Sequence, residues 1–228
     1  MKRTVSLVLT LFLCLTVFSS TAFGETPAAE MTAEEIYQAG RAAQDAQDYA
    51  TALKCYQQAA DLGYSEAIKE IGNLYLGGLG VELSYEKAFK YYQRAADHGN
   101  LNAINNLGHC YLNGFGVEKN EEEGINYFRI AAEQGNANAL YNIGQAYLYG
   151  IGISQDYSEA VKYYASAAEQ DLPIAIFALA DCYGDGKGVD KDPEKAAELY
   201  RKALDAGYEP DEEDQERLKA VLGDDYAP

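Results

Sequence analysis

A single period of 36 residues governs most of this chain. It is marked by four paired-glycine turns, which are GGLGV from Gly77, NGFGV from Asn113, YGIGI from Tyr149 and DGKGV from Asp185. Residues 65–208 divide without a gap into the segments 65–100, 101–136, 137–172 and 173–208. A fixed period of about 20–50 residues is typical of repeat architectures, in which each unit has the same local fold. The chain is therefore predicted to be an array of repeats.

The recurring columns predict a helix, a glycine turn and a second helix in each unit. The first half carries a column of small residues and a column of tyrosines at helical spacing, namely Gly72, Gly108, Gly144 and Ala180, and Tyr75, Tyr111, Tyr147 and Tyr183. The paired glycines end this helix because glycine adopts the left-handed backbone conformation without strain. The second helix is predicted to begin after an N-cap at Ser84, Asn120, Asp156 or Asp192, with Glu123 and Glu159 placed for capping boxes.

The units at the two ends depart from this pattern. Residues 32–64 are predicted to form an earlier repeat that lacks the two-glycine insertion. Residues 209–228 are predicted to form an acidic capping helix and tail, with Leu218, Val221 and Leu222 facing inward. Atypical end units shield the terminal surfaces of a solenoid from water.

The N-terminus has the pattern of a signal peptide over residues 1–24. Lys2 and Arg3 precede the apolar run 5–18, and Ala22 and Gly24 are the small residues of a cleavage site. The alternative is an uncleaved anchor, although the run is short for a membrane span. Residues 25–31 are predicted to be a linker. The expected location is outside the cytoplasm, periplasmic or secreted, with no membrane span after cleavage.

The charge of the chain argues against a nucleic-acid partner. The formal net charge is −18, and losing Lys2 and Arg3 with the leader takes it from −18 to −20. So acidic a surface repels phosphate backbones. The acidic residues are densest in the segment 209–216.

Motifs for cofactor or metal chemistry are not found in the sequence. No segment fits a phosphate-binding loop, and Val189 stands where the segment 184–189 would need the last glycine of a dinucleotide fingerprint. The aspartates between 181 and 192 do not have EF-hand spacing. His98 and His109 lie in different columns and offer no zinc site. We therefore expect no cofactor, no bound metal and no catalytic residue.

The cysteines that follow the leader are expected to be unpaired, buried thiols. Cys110 and Cys182 occupy the same column two repeats apart, which places them at least about 20 Å apart if packed helices are about 8–10 Å apart. A disulfide needs Cα atoms within about 7 Å. Cys55 lies on a different helix face, so no disulfide is predicted.

The repeat unit resembles a known family. Its form, as in NALYNIGQAYLYGIGISQDYSEAVKYYASAAEQ at 138–170, is similar to the Sel1-like repeat, a branch of the tetratricopeptide class. The resemblance covers residues 65–208, while 32–64 has the spacing of an ordinary tetratricopeptide repeat. It implies an all-α, right-handed α-solenoid that binds proteins or peptides. It implies no shared reaction.

If the resemblance holds, the first helices line a concave groove. We expect a peptide-binding site rich in amide side chains, which donate and accept hydrogen bonds; its residues are Lys69, Asn73, Asn102, Asn105, Asn106, His109, Asn138, Tyr141, Asn142, Gln145 and Phe177. Lys69, Asn73 and Asn106 match three of the five positions of a carboxylate clamp found in some tetratricopeptide domains. The alternative is that Asn106 and Asn142 only bridge neighbouring repeats.

Most of the 20 tyrosines fall in recurring columns and are expected in the core, whereas Tyr141, Tyr149 and Tyr157 break the pattern and are expected to be exposed.

The favoured function is that of an exported adaptor that binds a protein or peptide and catalyses no reaction. Its oligomeric state is left open. The alternative is a cell-wall-related or lactam-hydrolysing enzyme, or an enzyme-regulating factor, built on the same repeats.

Overall fold

A computed structural model describes residues 31–223 of the chain. The predicted signal peptide, almost all of the predicted linker and the last five residues lie outside this range. The described part contains eleven α-helices and no strand, which confirms the all-α class. The helices are α1 (Ala33–Asp45), α2 (Tyr49–Asp61), α3 (Ser65–Gly77), α4 (Tyr85–Asp97), α5 (Leu101–Asn113), α6 (Glu121–Glu133), α7 (Ala137–Tyr149), α8 (Tyr157–Ala168), α9 (Pro173–Asp185), α10 (Pro193–Asp205) and α11 (Glu212–Leu222).

The helices are arranged in two units. The first contains the described residues up to Cys110 together with 115–118, and the second contains 111–114 and the residues from 119 onward. In each unit, the two helices of a repeat pack as a hairpin and consecutive hairpins stack, as α2 does on α3 and α8 on α9. This is the predicted α-solenoid arrangement. Its right-handed sense stays a prediction. No helix among residues 31–223 has the length and apolarity needed to cross a membrane.

The predicted N-caps of the second helices are confirmed. Ser84, Asn120, Asp156 and Asp192 each accept a hydrogen bond from the backbone amide three residues ahead, at 2.9–3.3 Å. The predicted capping boxes at Glu123 and Glu159 are not formed, because these carboxylates have other partners. Glu159 Oε1 lies 2.6 Å from Lys162 Nζ, and Glu123 accepts from Asn126 Nδ2 at 3.5 Å.

The two glycines of each turn have different tasks. The first, represented by Gly150 with φ of 71°, ends the first helix in the left-handed conformation. The second also has a positive φ, and it lies against the first residue of the second helix in the preceding repeat. A Cβ on Gly152 would stand 2.7 Å from the carbonyl oxygen of Glu121. The second glycine therefore permits a close approach between neighbouring repeats, while the first ends a helix.

In three of the repeats a tyrosine from the second helix lies over the small residue of the first helix, and in the repeat 101–136 Phe128 stands in that column. A Cβ on Gly72 would stand 2.6 Å from the ring of Tyr92, and one on Gly144 would stand 2.6 Å from the ring of Tyr164. These tyrosines are fully buried. The small residues are thus needed because a large ring occupies the space above them.

The last helix closes the core of the second unit. Leu218 and Leu222 of α11 pack with buried residues of α9 and α10. The prediction that Val221 also faces inward is wrong, since its side chain is 38% exposed. Leu218 and Leu222 stand four residues apart on one face of the helix, and Val221 falls beside that face.

Candidate functional site

The predicted groove residues divide between the two units. Six lie on α3 and α5 in the first unit, and five lie on α7 and α9 in the second. All therefore belong to first helices of repeats, as the resemblance implied. The two groups are described separately.

In the first unit, two predicted groove residues hold a buried carboxylate. Lys69 Nζ lies 2.7 Å from Glu70 Oε1, and Asn73 Nδ2 donates to Glu70 Oε2 at 2.7 Å. Glu70 is only 7% exposed. A buried carboxylate needs such partners because its desolvation is costly. Lys69 and Asn73 thus have a structural task whatever else they bind.

Asn73 also connects this carboxylate to the neighbouring helices. Its Oδ1 accepts from the hydroxyl of Tyr92 at 2.7 Å and from Asn106 Nδ2 at 3.5 Å. Asn106 belongs to the next repeat, so the interpretation that this asparagine bridges repeats has a contact to support it. A ligand carboxylate at the clamp residues would have to compete with Glu70 for Lys69.

The remaining predicted residues of α5 differ in their exposure. Asn102 is exposed, but Asn105 is buried at 7% exposure and offers almost no surface to a ligand. His109 is half-buried, and burial lowers its pKa below the ordinary value of 6.5. The neutral imidazole is therefore favoured at pH 7, with one nitrogen that donates and one that accepts.

In the second unit, α7 presents a face of tyrosine and amide side chains. Asn138 is exposed, Tyr141, Asn142 and Gln145 are half-buried, and Tyr149 is 65% exposed. Their spacing of three or four residues places them along one side of the helix. Gln145 Nε2 donates to the hydroxyl of Tyr141. Tyr149 is exposed as predicted, whereas Tyr141 is only partly so.

Phe177 is part of the core, and its assignment to the groove has to be corrected. The side chain is 4% exposed. Its ring stacks on that of Tyr208 with centroids 4.3 Å apart and tilts against that of Tyr200 at 4.9 Å. Tyr208 is the last residue of the fourth repeat, and its column holds Asn100, Asn136 and Leu172 in the first three, so the repeat pattern did not predict a ring there.

Sequence reasoning also missed a cation at the face of α9. Arg217 of α11 lies with Nη1 2.7 Å from Asp181 Oδ2, and the hydroxyl of Tyr200 donates to Asp181 Oδ1 at 2.6 Å. Burial raises the pKa of Asp181, although the bonds from Tyr200 and Arg217 act in the opposite direction. The repeat columns could place Asp181, but Arg217 comes from a helix outside the repeat.

A cavity of about 140 Å³ lies beside this ion pair. It is bounded by side chains from α7, α8, α9, the turn after α9, and α11; the polar ones include Gln145, Tyr149, Tyr164, Asp181, Lys187 and Arg217. The cavity belongs entirely to the second unit and adjoins the tyrosine and amide face of α7.

The buried thiols are poor nucleophiles. Burial raises the pKa of Cys110 to about 12 and that of Cys182 to about 11, and the thiolate is the reactive form. Cys55 is buried as well. Within residues 31–223, no group of three or more His, Cys, Asp or Glu side chains is arranged to hold a metal ion.

Stacked helix hairpins with family-specific glycine turns define a helical repeat scaffold. The chain belongs to the Sel1 repeat family, whose sequence profile matches residues 26–64, 65–100, 101–136, 137–172 and 173–208. The first of these matches includes the unit whose spacing predicted an ordinary tetratricopeptide repeat. It begins inside the predicted linker.

Two solved structures have similar folds and sequences. A Sel1 repeat protein from Oxalobacter formigenes is 33% identical with a TM-score of 0.70, over 82% of this chain and 76% of that one. A protective antigen of uropathogenic Escherichia coli strains is also 33% identical, with a TM-score of 0.67, over 82% of this chain. The match spans only 40% of that antigen's length. No functionally curated protein is significantly similar in sequence.

Proposed function

We propose that this protein is an exported scaffold that binds a protein or peptide through the first-helix faces of its repeats. It acts as an adaptor in the cell envelope or outside the cell and catalyses no reaction. The observation that carries the proposal is the face of α7, where Asn138, Tyr141, Asn142, Gln145 and Tyr149 line one side of the helix.

The chemistry of this face suits a peptide. Amide side chains offer both donors and acceptors to an extended backbone. Tyrosine supplies a large contact area with few rotatable bonds and is enriched at protein interfaces. The side chain of Tyr149 is 65% exposed. The part of its ring that stays in water does not stabilise the fold, which supports a role in binding.

The net charge of −18 favours a partner with a basic surface, because complementary charge speeds association and like charge suppresses it. The same negative charge weighs against nucleic acid as the partner, because its phosphates are negative too. We expect the association rate to fall as salt is added, since screening weakens steering between exposed charges.

Export is proposed from the leader pattern of residues 1–24. The description of the Escherichia coli relative as a protective antigen is in keeping with an exported protein. Expression in a Gram-negative host, followed by fractionation and mass measurement, tests this. A mature chain that begins near Glu25 outside the cytoplasm is expected, and an intact leader on cytoplasmic protein would contradict it.

Partner binding is tested by affinity capture from envelope extract with the wild type and with Asn138→Ala combined with Tyr149→Ala. Both side chains are exposed, so the variant is expected to fold and to lose the partner. Ile130→Ala is the matched control, because Ile130 is 45% exposed but lies on a second helix. Equal recovery by the double variant would disprove the role of the α7 face. Turnover of a cell-wall or lactam substrate by pure protein would favour the enzyme alternative.

A further inference from the structure

One buried tyrosine hydroxyl lacks the partner that its counterparts have. The hydroxyl of Tyr92 donates to Asn73 at 2.7 Å, and that of Tyr200 donates to Asp181 at 2.6 Å. Tyr164 occupies the same column and is fully buried. Within the described residues, its hydroxyl is the buried side-chain polar atom that has no hydrogen bond.

The cause is a competing tyrosine on α7. Gln145 occupies the position of Asn73 and Asp181 in the repeat, so it is the expected partner of Tyr164. It donates instead to the hydroxyl of Tyr141, a residue whose column holds Lys69 and Asn105 in the two preceding repeats. A buried hydroxyl without a partner costs free energy, and native proteins retain few of them.

Tyr164 also lines the cavity of about 140 Å³ beside α7. At roughly 30 Å³ for each water molecule in the liquid, this volume corresponds to about four or five waters. The cavity therefore has room for a side chain of about four or five non-hydrogen atoms. The exposed ring of Tyr149 also bounds the cavity and can cover such a guest.

The charges around the cavity are already paired. Arg217 holds Asp181 at 2.7 Å, and Lys187 Nζ lies 2.9 Å from Asp185 Oδ2. A charged guest would therefore enter without a counter-ion, which is unfavourable in a partly buried site. A neutral group that both donates and accepts hydrogen bonds suits the unpartnered hydroxyl and Gln145. Of such groups, the primary carboxamide offers two donors beside its acceptor, whereas a hydroxyl offers one donor.

We propose that this cavity is a subsite for an asparagine or glutamine side chain of a partner peptide, whose carboxamide displaces Gln145 and hydrogen-bonds to the hydroxyl of Tyr164, which is fully buried until Gln145 moves. The subsite rests on the proposed peptide-binding function and gives it a sequence preference. Arg217 and Asp181 form part of its wall. Because they are paired with each other, they offer no counter-ion to a charged side chain, and a neutral carboxamide is preferred.

Blocked amino acids test the subsite without any partner protein. N-acetyl-glutamine-N-methylamide is titrated into the full chain labelled with ¹³C-tyrosine, and the ring signals of Tyr164 are followed by NMR. The matching glutamate and lysine compounds are titrated in parallel. We expect a saturable shift with the glutamine compound and weaker binding of the two charged ones.

Tyr164→Phe is the decisive variant, because Phe128 stands in the same column of this chain and shows that the fold accepts phenylalanine there. The glutamine compound should bind it at least about fivefold more weakly, as expected for the loss of one hydrogen bond. Because that substitution also removes the Tyr164 signal, the ring signals of Tyr149 report on its binding. Tyr92→Phe, in the first unit, should leave the affinity unchanged.

Three results would overturn the subsite: no saturable shift in the wild type, equal affinity for Tyr164→Phe, or equal binding of a charged compound. These results are independent of partner capture. A protein that captures its partner but does not take up the glutamine compound retains the proposed function and lacks the subsite. The reverse result retains carboxamide binding in the cavity and contradicts the adaptor role.

Discussion

At the scale of residues, one column of the repeat shows how the same position acquires different chemistry. In the second helices, the hydroxyl of Tyr56 donates to Gln44, that of Tyr92 donates to Asn73, and that of Tyr200 donates to Asp181. The ring has the same place in each case because a small residue beneath it leaves the room. The polar partner varies, and at Tyr164 it is missing.

This difference predicts opposite outcomes for the same substitution. Tyr92→Phe should lower the free energy of unfolding by about 1 kcal/mol or more, because it removes a hydrogen bond and leaves Asn73 with one donor fewer. Tyr164→Phe should cost nothing or stabilise the chain, since it removes a hydroxyl that has no partner. Urea unfolding followed by circular dichroism measures both. Equal losses would show that the Tyr164 hydroxyl is hydrogen-bonded in solution.

The buried cysteines predict slow alkylation of the native chain. With a pKa of about 11 for Cys182, about one thiol in a thousand is ionised at pH 8, and burial also blocks the reagent. Iodoacetamide should therefore modify Cys110 and Cys182 far more slowly than it modifies the same residues in the urea-unfolded chain, as mass spectrometry would show. Rapid modification at low denaturant would contradict the burial of these thiols.

At the scale of elements, the paired-glycine turn joins repeats as well as helices. Its first glycine ends a helix. Its second lies against the start of the second helix in the preceding repeat, where a Cβ on Gly188 would overlap the backbone carbonyl of Tyr157. The motif thus recurs once per repeat because each repeat must contact the one before it.

Two alanine substitutions separate this contact from simple backbone strain. Gly188 and Gly207 both have positive φ, at 75° and 92°, so alanine costs about 1–2 kcal/mol at either site for the left-handed conformation. No atom lies within 4 Å of a Cβ on Gly207. Gly188→Ala should therefore lower the thermal midpoint clearly more than Gly207→Ala does. Equal shifts would mean that the turn can move away from Tyr157 at no cost.

The helices and turns were largely predictable because they depend on local patterns. The N-caps at Ser84, Asn120 and Asp192 act on amides three residues away, and apolar spacing identifies a helix within a few turns. The two predicted capping boxes did not form because Glu159 pairs with Lys162 and Glu123 accepts from Asn126. Contacts such as Gly188 against Tyr157 join residues more than 30 positions apart in the chain, so no local pattern reports them.

At the scale of the whole molecule, the chain is an array whose last helix completes the second unit. The Sel1 repeats end at residue 208, and an open repeat end would leave apolar side chains in water. Leu218 and Leu222 cover that end, and Arg217 reaches Asp181 from the same helix. The terminal helix therefore contributes both to the core and to the proposed subsite.

Substitution of Leu218 should destabilise the second unit strongly. Leu218 has no exposed surface, and truncating such a side chain to alanine typically costs about 2–5 kcal/mol. Val221→Ala on the same helix is the control, since Val221 is 38% exposed and surface changes usually stay within about 0.5 kcal/mol. Hydrogen exchange should show the loss of protection in α9 and α10. A small effect of Leu218→Ala would mean that the second unit is stable without its last helix.

The sequence by itself determined the repeat, its period, its helices and its family, because these features recur at fixed spacing and act over a few residues. It also predicted that the first helices carry the binding residues. Only the tertiary structure decided which of those side chains a ligand can reach. Phe177 is buried against Tyr208, and Lys69 is paired with Glu70. Gln145 is hydrogen-bonded to Tyr141 and not to Tyr164. These outcomes depend on competition among neighbours brought together by packing, which the order of residues along the chain does not display.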